Sequence, residues 1–371
     1  VERIVKLHTV TKLRKPITTA SRTKENIMTL LPRVSATEER QFQSKSISQQ
    51  RERYLSTDVL QKLQMDTGYA EKVRQVERAL DSPGGLIVDI GSNTCGESEY
   101  LTTRGYPILC TDINEVALQL SQERCRKYKR KSPSYLACDA HHLPLKNESA
   151  QFVIFNESLH HMEDTMRVLH EVERVLAPGG RIFLYEPYAY NPYRRLSEIR
   201  DRFLGTIERS FGVSQLRRLF RDVGLSVVSI DRHTCAPSQW KKDAMGETHR
   251  VLKQLYYSAA KALPSIFGNL VVLAEKPGRT PTTHRVTSLE SITRCPVTGS
   301  HLLKIEEKGY LSLDRDFRGL FPIRQGIPVL IREEALLLDK IVWQALVDSN
   351  SPAAEPGNGN KSPLHLRVPV Y

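Results

Sequence analysis

The segment Leu86–Gly96, LIVDIGSNTCG, limits what this 371-residue chain can fold into more than any other. Leu86, Ile87, Val88 and Ile90 make a short, nearly continuous apolar run, the pattern of a strand buried on both faces within a parallel α/β sheet. Asp89, at the carboxyl end of that strand, is the first polar group to reach the crevice where such sheets bind ligands. Gly91 lets the backbone turn sharply and lets a ligand approach it without a Cβ in the way. A single glycine turn also occurs in nicotinamide enzymes, flavoproteins and plain tight turns, so its context decides.

The context repeats the same device. A second strand, Tyr106–Cys110, runs into Thr111, Asp112 and Ile113. A carboxylate there can accept both hydroxyls of a ribose, at roughly 1.5–3 kcal/mol per charge-assisted bond. The third strand, Ser134–Cys138, ends in Asp139 and Ala140, where an acid and a backbone N–H can read an adenine edge. The fourth, Phe152–Phe155, ends in NESLHHMED and leads into a helix bearing Val168, Leu169, Val172, Val175 and Leu176. Gly179 and Gly180 are expected to break that helix, and RIFLY to form a fifth strand ending at Glu186. The predicted class is α/β, a doubly wound Rossmann-like sheet.

Five landmarks in order, DIGSNTCG, CTDIN, CDAHHLP, FVIFNESLHH and LAPGGRIFLYEP, give a specific resemblance. From about Leu86 to Pro277 the chain resembles the class I S-adenosylmethionine-dependent methyltransferases, in the branch that contains the ubiquinone and menaquinone methyltransferases. The resemblance implies a mostly parallel sheet with an antiparallel last strand, for which Leu225–Asp231 and Leu270–Glu275 supply segments. It also implies S-adenosyl-L-methionine as cofactor. Asp89, Gly91, Ser92, Asn93 and Gly96 would surround its methionine end, Asp112 and Ile113 its ribose and adenine, and Asp139 and Ala140 the adenine edge, with Asn156 closing the fourth strand. The chain departs from the family where glycines are usual, with Asn93 and Cys95 in the turn, and where Gln151 replaces the usual Asp.

A sulfonium methyl is already activated, so the protein must mainly hold an acceptor in line at about 3–3.5 Å and exclude water, a contribution of roughly 7–11 kcal/mol. His160, His161 and Glu157 follow the fourth strand and are the catalytic candidates; a proton acceptor there can add about 10²–10⁴-fold. The other reading makes the histidines pocket wall. No metal is expected: adjacent histidines diverge in a strand or helix, and His170-Glu171 has Arg174 where a zinc protease needs its second histidine. Tyr188, Tyr190 and Arg194, in the aromatic and basic stretch after the fifth strand, are substrate-contact candidates, against the reading of a surface helix with packed rings. The segment Gln239–Phe267, with Trp240, Tyr256 and Tyr257, either covers the same mouth or packs as an ordinary helix.

Residues 1–53 carry twelve Lys or Arg against five Glu, part of a net charge of +12, and read as a basic, largely disordered arm. Met28 is a candidate start, the residues before it being upstream sequence. Residues 54–277 form the methyltransferase unit, with Asp58–Leu80 helical across the cofactor mouth; 278–286 are a linker and 349–371 a disordered tail. Residues 287–348, with CPVTGSHL and FPIRQGIPVLI, resemble the small partner proteins that activate methyltransferases of tRNA and release factors, in a metal-free form that keeps only Cys295, and Glu334–Val347 should close the unit as a helix. The six cysteines show no framework and no apolar run suffices to span a membrane, so the expectation is a cytoplasmic enzyme with reduced thiols. A small-molecule acceptor is favoured by the absence of an Asn/Asp-Pro-Pro-Tyr/Phe signature after the fourth strand. RNA or a translation protein is the alternative acceptor, a non-catalytic scaffold the alternative class, and the same resemblance implies a protein partner engaged through the C-terminal unit.

Overall fold

The computed structural model describes residues 36–80, 84–191, 209–233, 246–279, 288–306 and 308–350. Its centre is the expected parallel sheet. β1 (Ile87–Ile90) lies between β2 (Ile108–Asp112) and β4 (Ala150–Asn156), β3 (Ser134–Cys138) flanks β2, and β5 (Leu176–Glu186) flanks β4, all in parallel. β7 (Asn269–Glu275) runs antiparallel to both β5 and β6 (Ser226–His233). The chain builds β1, β2 and β3 outward and then returns to the other side of β1 for β4, so the sheet's switch point lies between β1 and β4 at their carboxyl ends.

Alternation along each strand sends side chains to two buried layers. Val88, Leu109, Leu136 and Val153 enter one core with Val168, Leu169 and Val172 of α7 (Thr165–Val175). Ile87, Cys110, Ile154 and Phe183 enter the other, with Leu101 of α5 (Gly96–Thr103) and Leu118 of α6 (Glu115–Lys127).

Several boundaries differ from the sequence expectation. The helix α7 ends at Val175, ahead of the glycines, because Leu176 already pairs with Ala150 as β5 begins, and Pro178 cannot continue a helix. Asp58–Leu80 is two helices, α3 (Val59–Met65) and α4 (Thr67–Ala79). Asp66 separates them by leaving helical geometry and accepting the N–H groups of Gly68 and Tyr69 as an N-cap. The second half of the basic arm is ordered as α1 (Ala36–Gln49), followed by α2 (Arg51–Ser56); Ile47 is buried against Ala117 and Leu120 of α6. Residues 1–35, with Met28, and the tail 351–371 lie outside the described residues.

The C-terminal segment joins the same sheet. β11 (Ile327–Leu330) pairs in parallel with β3 through Val329 with Ala137 and Leu330 with Cys138. β10 (Gly319–Arg324), β9 (Gly309–Ser312) and β8 (Leu302–Ile305) follow outward, and β12 (Leu336–Leu337) adds to β10. The closing helix starts later than expected, at Lys340, because Leu336–Leu337 is drawn into sheet pairing and Asp339 then caps Ile341 and Val342. A chain of partly buried ion pairs fastens this segment: Arg40 of α1 and Arg324 of β10 each bind both Glu115 of α6 and Glu334.

Candidate functional site

The turn after β1 is held without the usual glycines. Gly91, Asn93 and Cys95 all have positive φ, 68°, 48° and 52°, which Asn tolerates better than most residues. The N–H groups of Gly91 and Ser92 donate to the Thr111 carbonyl at 2.8 and 3.0 Å. Arg124 of α6, buried against Glu99 of α5, donates to the Thr94 carbonyl. A Cβ on Gly91, whose φ is 68°, would come within 2.7 Å of Ser158 Cβ, so glycine is favoured there on both counts; one on Gly96 would come within 2.9 Å of Tyr69 Oη and require that ring to shift.

Around that turn, β1, β2, β3 and β4 present Asp89, Asp112, Asp139 and Asn156 to a single cavity of about 310 Å³. All ten cofactor candidates, Asp89, Gly91, Ser92, Asn93, Gly96, Asp112, Ile113, Asp139, Ala140 and Asn156, line it. Asp89 accepts a 2.6 Å bond from Ser98 Oγ on Oδ2, while its buried Oδ1 has no hydrogen-bond partner in the protein; Asn156 Oδ1 is likewise buried and unsatisfied. Burial pushes the Asp89 carboxyl up to about 7, against the lowering effect of Ser98. Asp112 accepts the N–H groups of Asn93 at 2.7 Å and Asn114 at 2.8 Å, and burial still raises it to about 6. Burial would raise Asp139 too, but the His141 side chain and backbone N–H, at 2.7 and 2.9 Å, outweigh it and hold the carboxyl below its ordinary value. His141 Nε2 accepts from the Asp164 N–H at 3.1 Å, which leaves the proton on Nδ1, facing Asp139.

Of the catalytic candidates, Glu157 and His161 line the cavity. His160 lies outside the lining: it is 3% exposed and its Nδ1 sits 2.5 Å from Glu186 Oε2. The other oxygen of Glu186 accepts the N–H groups of Ser158 and Leu159 at 2.9 and 2.7 Å, so one buried carboxylate at the end of β5 holds the whole turn after β4. The His160 and His161 rings stand 4.1 Å apart. Tyr188 is buried and Tyr190 is 68% exposed, edge-on to it; neither lines the cavity. Arg194 and Trp240 lie outside the described residues. Tyr256 packs on Phe267 and accepts a 2.6 Å bond from Asn191.

Sequence reasoning missed Lys72, Glu97, His141 and Met162, all of which line the cavity, and the role of Glu186. His141 and Glu186 belong to quoted landmarks and were recoverable from them. Lys72 was not, since it reaches the site from α4, and no local pattern marks one lysine of a surface helix.

Residues 88–184 match the protein family described as "Methyltransferase domain". The matched segment runs from β1 to β5 and carries Asp89, Asp112, Asp139 and Asn156, so the strand ends that line the cavity lie in the part of the chain that is similar to methyltransferase domains. The chain is similar to a demethylmenaquinone methyltransferase of Thermobifida fusca, 31% identical over 139 residues, 38% of this chain and 56% of that protein. It is also similar to a ubiquinone/menaquinone biosynthesis C-methyltransferase, UbiE, of Acidiphilium cryptum, 35% identical over 106 residues, 28% of this chain and 43% of that protein. The chain thus spans about half the length of these curated relatives. Among solved structures, a chain of the complex between the Haloferax volcanii Trm112 methyltransferase activator and a methyltransferase aligns with 67% of this chain and 100% of its own, at 19% identity and a TM-score of 0.48. Among the described residues no helix is long and apolar enough to cross a membrane, and none of the five described cysteines is in a disulfide.

Proposed function

We propose that this chain transfers a methyl group from S-adenosyl-L-methionine to a small-molecule acceptor of the quinone, lipid or natural-product type. The observation that carries the reading is the convergence of four strand ends on one cavity beside a glycine turn, within the residues that match the methyltransferase family. The residues fit the cofactor. Two buried acceptor atoms without protein partners, Asp89 Oδ1 and Asn156 Oδ1, suit an ammonium group. Each Asp112 oxygen already accepts one backbone N–H and keeps a lone pair for a ribose hydroxyl. Asp139, held ionised by His141, and the Ala140 backbone suit the adenine edge.

When bound, the cofactor supplies the activated methyl group; the chain supplies position and a proton acceptor. Glu157 and His161 stand on the cavity wall, where either can take a proton from an acceptor hydroxyl or carbon acid. Glu186 and His160 keep that wall in place. The relatives' printed names support a quinone-type acceptor, and the C-terminal strands, resembling an activator protein, would act in cis by extending the sheet at β3. The test is incubation with methyl-labelled cofactor and either a demethylated quinol or a cell extract, followed by separation of small molecules, RNA and protein. Label in the small-molecule fraction is expected; label confined to RNA or protein would replace the acceptor assignment.

A further inference from the structure

The methionine end of S-adenosylmethionine is a zwitterion. The acceptor atoms above provide for its ammonium group and leave its carboxylate to be matched. Lys72 is the one lysine or arginine among the described residues that line the cavity; the same lining holds Asp89, Glu97, Asp112, Asp139, Glu157 and Glu163. A ligand carboxylate entering this acidic cavity therefore has a single described cation to meet. The N-terminus of α5 offers little alternative, since its first turn already carries Glu97 and Glu99.

Lys72 is well placed for the part. Its Nζ is 2.6 Å from Glu157 Oε2 and 3.9 Å from Glu97 Oε1, so it bridges the residue that follows β4 and the first turn after the glycine loop, both on the wall of the cavity that Asp89 also lines. It also lies 5.2 Å from the centroid of the Tyr185 ring, whose face favours a cation whichever carboxylate the lysine binds. The side chain is 15% exposed, so the pair is partly shielded from water and a carboxylate arriving there meets a strengthened field.

We infer that Lys72 is the counter-ion of the cofactor's carboxylate, and that cofactor binding transfers the lysine from Glu157 to the ligand. This rests on the reading of the cavity as an S-adenosylmethionine site. The exchange has a consequence for the acceptor wall: Glu157 is neutralised by Lys72 before binding and is released beside the acceptor once the cofactor is seated. A single helix, α4, thereby links cofactor loading to the availability of a candidate base.

The probes are S-adenosylmethionine and decarboxylated S-adenosylmethionine, which keeps the ammonium, sulfonium and nucleoside and lacks only the carboxylate. Titrated calorimetrically into the full chain, the complete cofactor should bind about tenfold or more tighter than the decarboxylated one, as expected for a charge-assisted bond. In Lys72→Met the two should bind alike, with the loss confined to the complete cofactor; Lys72→Arg should restore most of the difference. Glu157→Gln, which removes the competing carboxylate, should tighten the complete cofactor severalfold. Wild-type discrimination persisting in Lys72→Met, or weaker binding to Glu157→Gln, would overturn the inference while leaving the methyltransferase reading intact. No binding of either probe to the wild type would end both.

Discussion

Asp89 and Asp112 are the residues on which the pH behaviour turns. Both carboxyls are raised by burial, to about 7 and about 6, from an ordinary 3.8. The folded chain therefore binds protons that the unfolded chain releases, and its stability declines as pH climbs from 3.8 through these values. A cationic ligand favours the ionised forms, so cofactor affinity should rise with pH across the interval from about 6 to about 7, with protons released on binding. Calorimetry within that interval in buffers of different ionisation enthalpy reads this directly; Asp89→Asn should bind more weakly and release fewer protons. Glu186 is the second decisive residue. Glu186→Ala would strand the Ser158 and Leu159 N–H groups and His160 in a dry interior, at a cost of about 3–5 kcal/mol, measurable as a fall in the denaturant midpoint. Retained stability would mean that this turn does not depend on Glu186.

At the scale of elements, the loop from Gly91 to Cys95 makes the clearest case. Asn93 is exposed and left-handed at φ 48°, so Asn93→Gly should leave stability within about 0.5 kcal/mol, whereas Asn93→Val, whose branched Cβ resists that region, should cost about 1–2 kcal/mol. Equal thermal midpoints for the two variants would contradict this. The parallel strands were legible because each joins a short apolar run to an acid or amide at or beside its carboxyl end: Ser134–Cys138 was read to the residue, and Asp89, Asp112 and Asp139 do share one cavity. Elements set by distant partners were not. The helix α1 has a polar sequence and is placed by Arg40 and Ile47, and Leu336–Leu337 became a strand only because β10 offered an edge. The break at Asp66 was visible in principle, since an Asp two and three residues before Gly68 and Tyr69 is an N-cap pattern, but the apolar spacing on either side masked it.

For the whole molecule, the notable fact is that β3 is no edge. β11 covers it, and the ion pairs of Arg40, Glu115, Arg324 and Glu334 bind helix α1, helix α6 of the central sheet and the C-terminal strands to one another. A chain ending before Ser288 would expose the β3 backbone, so it should melt at lower temperature and self-associate in size-exclusion chromatography. A monomeric truncation with an unchanged midpoint would show that the C-terminal strands are not part of the folding unit. The sequence divided these residues from the core because turns and prolines interrupt them, and pairing between Val329 and Ala137, far apart in the chain, leaves no local trace. The central claim is that strand ends from β1 to β4 build one site for S-adenosylmethionine. Its most direct test is calorimetric titration of the folded chain with that cofactor: one saturable site per chain, weakened about tenfold or more by Asp112→Ala, is the expected result, and a folded protein with no measurable affinity would contradict it.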